Sequence, residues 1–223
     1  WLGTEVAHRL LPVDWNWLDV ISVGIPLGTV ITSWIFFAIR SVFRINRVIG
    51  MLIALLMYVG CLALRRLPPI KRQHKRLTFG FVSMSIVFFL MFIELCYISY
   101  LREGYSSSAT TFSDLPFHLS VISSFAYGTN SLGGRIETPF YAGEKFCYPM
   151  VPDFFSAVLV AGGGASLRVS VCVPSMFMLM CVVNALHSLG QKFSNLPCVP
   201  EMTVIFWFFC GGSGWKYQFD LNN

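Results

Sequence analysis

Two acids and a histidine raise the chemical question in this chain. Asp114 and His118 stand four residues apart in Asp-Leu-Pro-Phe-His-Leu, a spacing that puts both on one helical face. A carboxylate in that position either caps the helix, with Pro116 suited to an early helical position, or acts as a general base toward an acceptor hydroxyl. His118 either hydrogen-bonds Asp114, binds a donor phosphate, helps hold a metal, or serves packing alone. Asp153 stands at the start of an apolar run, in Tyr-Pro-Met-Val-Pro-Asp-Phe-Phe. Ionisable groups at a membrane entry are costly and usually face a cavity or a partner. Glu94, inside another apolar stretch, weighs equally as a functional acid and as one that reaches the interface. Arg135 and Lys145 are the local cations, partners for these acids or contacts for a phosphate, and Glu144 precedes Lys145. Tyr141 and Tyr148, with the prolines around them, form either a rigid wall over a site or interfacial anchors.

The elements that must hold these groups are membrane helices. Of 223 residues, 55% are hydrophobic and only 12% are charged, about half the charge of an ordinary soluble domain. So few charges cannot cover that much apolar surface in water, whereas a bilayer solvates it. The net charge of +5 does not indicate nucleic acid, because the cations cluster between apolar runs and no aromatic stacking platform interleaves them. Arg65, Arg66, Lys71, Arg72, Lys75 and Arg76 mark a loop kept in the cytoplasm; Arg40, Arg44 and Arg47 form a second cluster.

A spanning helix needs about 20 apolar residues. Residues 20–39, 48–64, 77–100, 148–167 and 169–189 meet or approach that length, and residues 202–215 begin a further span. The expected fold is therefore all-α: a polytopic transmembrane helix bundle of about five to six spans. Residues 1–76 form a two-helix anchor or hairpin with a basic cytoplasmic loop, and residues 77–223 form the membrane core. Residues 101–147 are a long loop, external or lumenal by alternation, in which residues 115–127 read as an amphipathic helix lying at the interface. Alternation returns Arg168 to the cytoplasm and places the Arg40–Arg47 cluster outside. Both ends of the chain look cut, as in a piece of a longer membrane protein. Of the seven cysteines, five lie in apolar spans and read as packing. Cys147 and Cys198 both fall in external loops, where a disulfide between them is the candidate pairing.

The order Asp114-Leu-Pro-Phe-His118-Leu, Ser-Phe-Ala-Tyr-Gly128-x-Asn130, Pro139-Phe-Tyr-Ala-Gly143-Glu and Tyr148-Pro-x-x-x-Asp153-Phe-x-Ser-Ala resembles the first external loop of polytopic GT-C-type glycosyltransferases. It is most similar to their little-characterised multi-spanning branch, and Gly-Gly-Ser-Gly-Trp at 211–215 resembles a later turn of that branch. The resemblance covers residues 114–215. It implies a sugar donor on a polyprenyl or dolichyl phosphate, inverting transfer on the lumenal or external face, and Asp114 as base. Donor contacts would come from His118, Arg135, Glu144, Lys145, Tyr148 and Asp153. No cofactor is firmly implied, a divalent metal being the one candidate. The implied partners are membrane lipids, the lipid-phosphate sugar and other membrane subunits, in the endoplasmic reticulum, another endomembrane or the plasma membrane. The chain departs from the family in having fewer spans and no paired acids in the loop, the nearest acid before Asp114 being Glu103. Two other readings compete with an enzyme: a non-catalytic membrane subunit, and a transporter segment using Glu94 and Asp153 as pathway acids.

Overall fold

Side-chain caps and glycine or proline breaks delimit the helices of the computed structural model, which describes residues 1–68, 70–72, 74, 77–96 and 114–210. Helix α1 is Leu2–Leu10. Helix α2, Trp17–Arg40, starts where the Asn16 side chain accepts from the Asp19 amide. Helix α3, Arg47–Arg65, starts the same way at Asn46. Helix α4 is Phe79–Cys96 and α5 is Asp114–Ala126, followed by a 3-10 turn at Thr129–Ser131. Helix α6, Val151–Ala161, has Pro152 in its first turn and stops at Gly162. Helix α7, Leu167–Phe193, is capped by the Ser166 hydroxyl, and α8 is Val199–Phe209. Among the described residues the only β pairing is an isolated bridge between Glu137 and Lys145.

Three of these helices are long and apolar enough to cross a membrane: α2, α3 and α7, of 24, 19 and 27 residues. At 1.5 Å per residue they measure roughly 36, 28 and 40 Å, against a hydrocarbon core of about 30 Å. Met51, Leu52, Leu55 and Leu56 of α3 point outward, as do Ile86, Val87 and Leu90 of α4. Such faces suit lipid, not water.

The helices approach through glycines, as membrane helices do when small residues line their contacts. Gly3 of α1 lies on Gly24 and Gly28 of α2; a methyl group on Gly3 would meet the Gly24 carbonyl oxygen at 2.2 Å. Gly50 of α3 lies on Gly162, where an added Cβ would come within 2.3 Å of the carbonyl oxygen. The main core cluster joins Phe36, Ile45, Val121, Ile122, Phe125 and Phe154, and so binds α5 and α6 to α2.

Several expectations change here. Residues 148–167 do not form one span: α6 has 11 residues, roughly 16 Å, because Gly162-Gly163-Gly164 interrupts it. Since α6 does not cross, the start of α7 comes out beside the Arg40–Arg47 turn, with Gly164 packed on the Arg47 guanidinium. Arg168 therefore shares an end with Arg40, Arg44 and Arg47 instead of lying opposite them. Helix α5 is a helix as expected, and it contributes to the core, since Leu115, Val121, Ile122 and Phe125 are all buried. Its apolar face meets α6. Helix α8 covers Val199–Phe209. Residues 97–113, with Glu103, and residues 211–215, with the Gly-Gly-Ser-Gly turn, lie outside the described residues, as do Lys75 and Arg76.

Candidate functional site

The first turns of α5 and α6 bring His118 and Asp153 together. His118 Nδ1 lies 3.0 and 2.9 Å from the two Asp153 carboxylate oxygens, close enough for one N–H shared between them. The Asp153 side chain is 8% exposed and that of His118 38%, so the acid is inside and the imidazole faces out. The carboxylate holds the Nδ1 proton, which leaves Nε2 as the acceptor. No other hydrogen bond to His118 occurs among the described residues.

Aromatic contacts and backbone hydrogen bonds fix this pair. Phe154, next to Asp153, sits edge-on to Phe125 of α5 and to Phe37 of α2, at 5.2 and 5.6 Å between centroids. One turn along α6, the Ser156 hydroxyl donates to the Ser170 carbonyl of α7 at 2.8 Å. The far end of α5 is tied by Asn130, which is 1% exposed. Its amide donates to Ser124 Oγ and to the Glu137 carbonyl, and its Oδ1 accepts from the Glu137 amide. The buried Arg40 donates to the Asn130 and Leu132 carbonyls, and Arg44 to Ser131 Oγ. These arginines, read from sequence as a topology signal, hold the loop that follows α5. Burial also pulls the Arg40 guanidinium against the faces of Phe37 and Phe125.

A groove of about 570 Å³ opens from the pair. It runs along α7 from Val171 past Pro174 and Ser175 to Val182, and takes in Thr29, at the middle of α2. Its lining is mostly apolar, and its polar head is His118, Asp153 and Ser156. Leu179 and Phe208 also line a second hollow of about 430 Å³, which contains Glu94. Thr29, Pro174 and Ser175 were not singled out from sequence, although a hydroxyl or proline inside a spanning helix is a usable signal there.

Of the expected site residues, Tyr148 also joins the pair. Its ring lies 4.9 Å from Phe117 and 6.1 Å from His118, and Phe117 stacks on Phe140 at 5.4 Å. Asp114 is exposed at the start of α5, without a hydrogen bond or ion pair among the described residues. His118 takes its carboxylate from α6 and not from Asp114. Arg135, Glu144 and Lys145 are exposed on the turn-rich segment between α5 and α6, and none lines the groove. Tyr141 is exposed as well. Cys147 and Cys198 are both free, exposed thiols. The first stands in the segment between α5 and α6. The second caps α8, whose Pro200 sits on Gly190 at the C-terminal end of α7. The expected pairing is not formed in this structure, where both sulfurs are free. Among the described residues no group of three His, Cys, Asp or Glu side chains converges as a metal site would require.

Comparison of the chain with known protein families, with curated proteins and with solved structures finds no match.

Proposed function

We propose that this chain is a membrane glycosyltransferase-like protein that takes a sugar from a polyprenyl- or dolichyl-phosphate carrier, with His118 and Asp153 as its acid–base unit. One observation carries the reading: an imidazole backed by a buried carboxylate stands at the polar head of an apolar groove that reaches the middle of the spanning helices. An amphiphile matches that shape, with its phosphate and sugar at His118 and its hydrocarbon along α7.

The chemistry follows from the hydrogen bond. Asp153 accepts the Nδ1 proton, keeps the Nε2 lone pair toward the groove and stabilises the imidazolium that forms when Nε2 takes a proton. The proton comes from an acceptor hydroxyl. Its oxygen attacks the anomeric carbon, and the bond from that carbon to the phosphate oxygen breaks, the pair leaving on the lipid phosphate. In-line displacement inverts the anomeric centre. Phe117 and Tyr148 flank the imidazole, with Phe140 stacked on Phe117, and offer aromatic faces to a sugar ring. Asp114, unpaired and one turn before His118, is the second candidate base, and the one the family resemblance implies. The passage from Asp153 to Glu94 is walled by Leu179 and Phe208, which suits a lipid tail better than an ion path. In this reading the Asn130 end of the bundle faces the lumen or the exterior.

The test is transfer from a synthetic polyprenyl-phosphate glucose or mannose by the purified chain and three variants. His118→Gln and Asp153→Asn are expected to lower the rate by roughly 10²–10⁴-fold, the usual worth of a positioned acid–base group. Asp114→Asn then shows whether this carboxylate adds a second contribution. Full transfer by both the His118 and Asp153 variants sinks the assignment of the acid–base unit. No transfer by the parent chain from any such donor sinks the activity itself.

A further inference from the structure

A second cavity, of about 310 Å³, opens at the opposite end of the same two helices, between the first turns of α2 and the last turns of α7. Its walls include Trp15, Asp19, Ser22, Ser188 and Lys192, with Val23 and Leu189 on the apolar side. Two charges of opposite sign stand in it without a direct ion pair. Asp19 is 8% exposed, and among the described residues its carboxylate is held by neutral donors: Asn16 Nδ2 at 2.5 Å, Asn184 Nδ2 at 3.1 Å and Ser188 Oγ at 2.5 Å. The Lys192 ammonium lies 4.4 Å from the centre of the Trp15 ring, and no ion pair joins it to Asp19 within 4 Å.

We propose that this cavity binds the headgroup of a zwitterionic phospholipid that carries a primary amine. The amine donates to the Asp19 carboxylate, the phosphate meets Lys192, and the acyl chains leave along the apolar wall. A buried carboxylate with no cation in direct contact is stabilised when one arrives, and an ammonium supplies it. An anionic headgroup lacking an amine meets Asp19 as a like charge. A quaternary ammonium has no N–H for Asp19, and the Trp15 face that would otherwise receive it is taken by Lys192. The depth also fits: the cavity lies at the ends of two spanning helices, beside Trp15 and Trp17, where aromatic side chains sit at headgroup level.

The experiment is native mass spectrometry of the full chain with dioleoyl phosphatidylethanolamine, phosphatidylcholine and phosphatidylglycerol. The ethanolamine lipid is expected to bind at least about tenfold more tightly than either other lipid. Lys192→Gln, which removes the ammonium from the Trp15 face and leaves the Asp19 hydrogen bonds in place, is expected to reduce it to the level of the choline lipid. Asp19→Asn keeps an oxygen for Asn184 and Ser188 and is expected to abolish the preference for the amine. Equal retention of the three lipids overturns the proposal, as does a preference that survives Lys192→Gln. Displacement of the lipid by free phosphoethanolamine at equal concentration would assign the cavity to a soluble zwitterion and overturn the lipid source.

Discussion

Two histidines, near opposite ends of the bundle, each follow an acid by one helical turn: Glu5 and His8 on α1, Asp114 and His118 on α5. Neither pairs with that acid. Glu5 turns to Arg65 at 2.6 Å, and Asp114 faces outward. His8 meets a cation instead, its Nδ1 accepting from Arg72 Nε at 2.9 Å while its ring stacks on Trp17 at 4.5 Å. His118 meets a carboxylate and gives up its Nδ1 proton to it. The first imidazole has its basic nitrogen occupied by a guanidinium, so it can only hold structure. The second has its basic nitrogen free and its acidic one anchored, the arrangement that proton transfer needs. What a histidine does here is set by a partner from another helix, not by the residue one turn away.

The largest expected effect tests the functional half of that contrast. His118→Gln removes the base but keeps a donor for Asp153, so transfer should fall by roughly 10²–10⁴-fold. Because His118 is more than one-third exposed, thermal unfolding should barely move. A variant that unfolds instead would make His118 a packing residue like His8. The structural half is tested at Arg72. Its guanidinium donates to the His8, Leu11, Pro12 and Trp15 carbonyls as well as to the His8 ring. Arg72→Ala orphans these acceptors and should cost about 3 kcal/mol of stability in denaturant or thermal unfolding. Arg72→Lys should recover less than half of that, since an ammonium lacks the planar fork.

Next in size is the helix contact that delivers Asp153. Gly50→Ala puts a methyl group into the Gly162 carbonyl at 2.3 Å, and overpacking of this kind costs about 1–3 kcal/mol. If α6 shifts to relieve it, transfer falls together with stability. Loss of stability with unchanged transfer would show that the His118–Asp153 pair does not depend on this crossing.

The long helices were the most legible part of the chain. The runs that became α2, α3 and α7 are apolar over the length of a bilayer, and length alone identifies such segments. Helix α5 was legible as a helix headed by Asp114, but its placement was not. Its apolar face packs equally well on lipid or on Phe154, and no periodicity distinguishes the two. Helix α6 was misjudged because residues 148–167 are mostly apolar over the length of a span, while Gly162-Gly163-Gly164 ends the helix inside that run. The site was half legible. Asp153 and His118 were both singled out, each from its own local setting, but their partnership crosses 35 residues and depends on α6 being short. Asn130 and Arg40 carry structure that no spacing rule signals, since one binds backbone in its own loop and the other binds carbonyls on a different element.

The smallest effect is a pH dependence that belongs to His8 alone. Burial, then the neighbouring charges of Arg72 and Arg9, hold its pKa below the usual 6.5, with Glu5 opposing weakly. A base whose pKa is lowered by folding takes up its proton more readily when unfolded. The stability it contributes is therefore complete above pH 6.5 and is lost as pH falls below it, at up to about 1.4 kcal/mol for each unit of lowering. Protonation would also set an imidazolium against the Arg72 guanidinium and open the loop between α1 and α2. Unfolding midpoints measured from pH 8 down to pH 5 should fall only in the acid half of that range. His8→Gln offers Arg72 an oxygen that does not titrate, so the variant should flatten the acid limb without lowering the plateau much. An acid limb that persists in His8→Gln would assign the titration elsewhere and remove the distinction between an imidazole locked by a cation and one primed by a carboxylate.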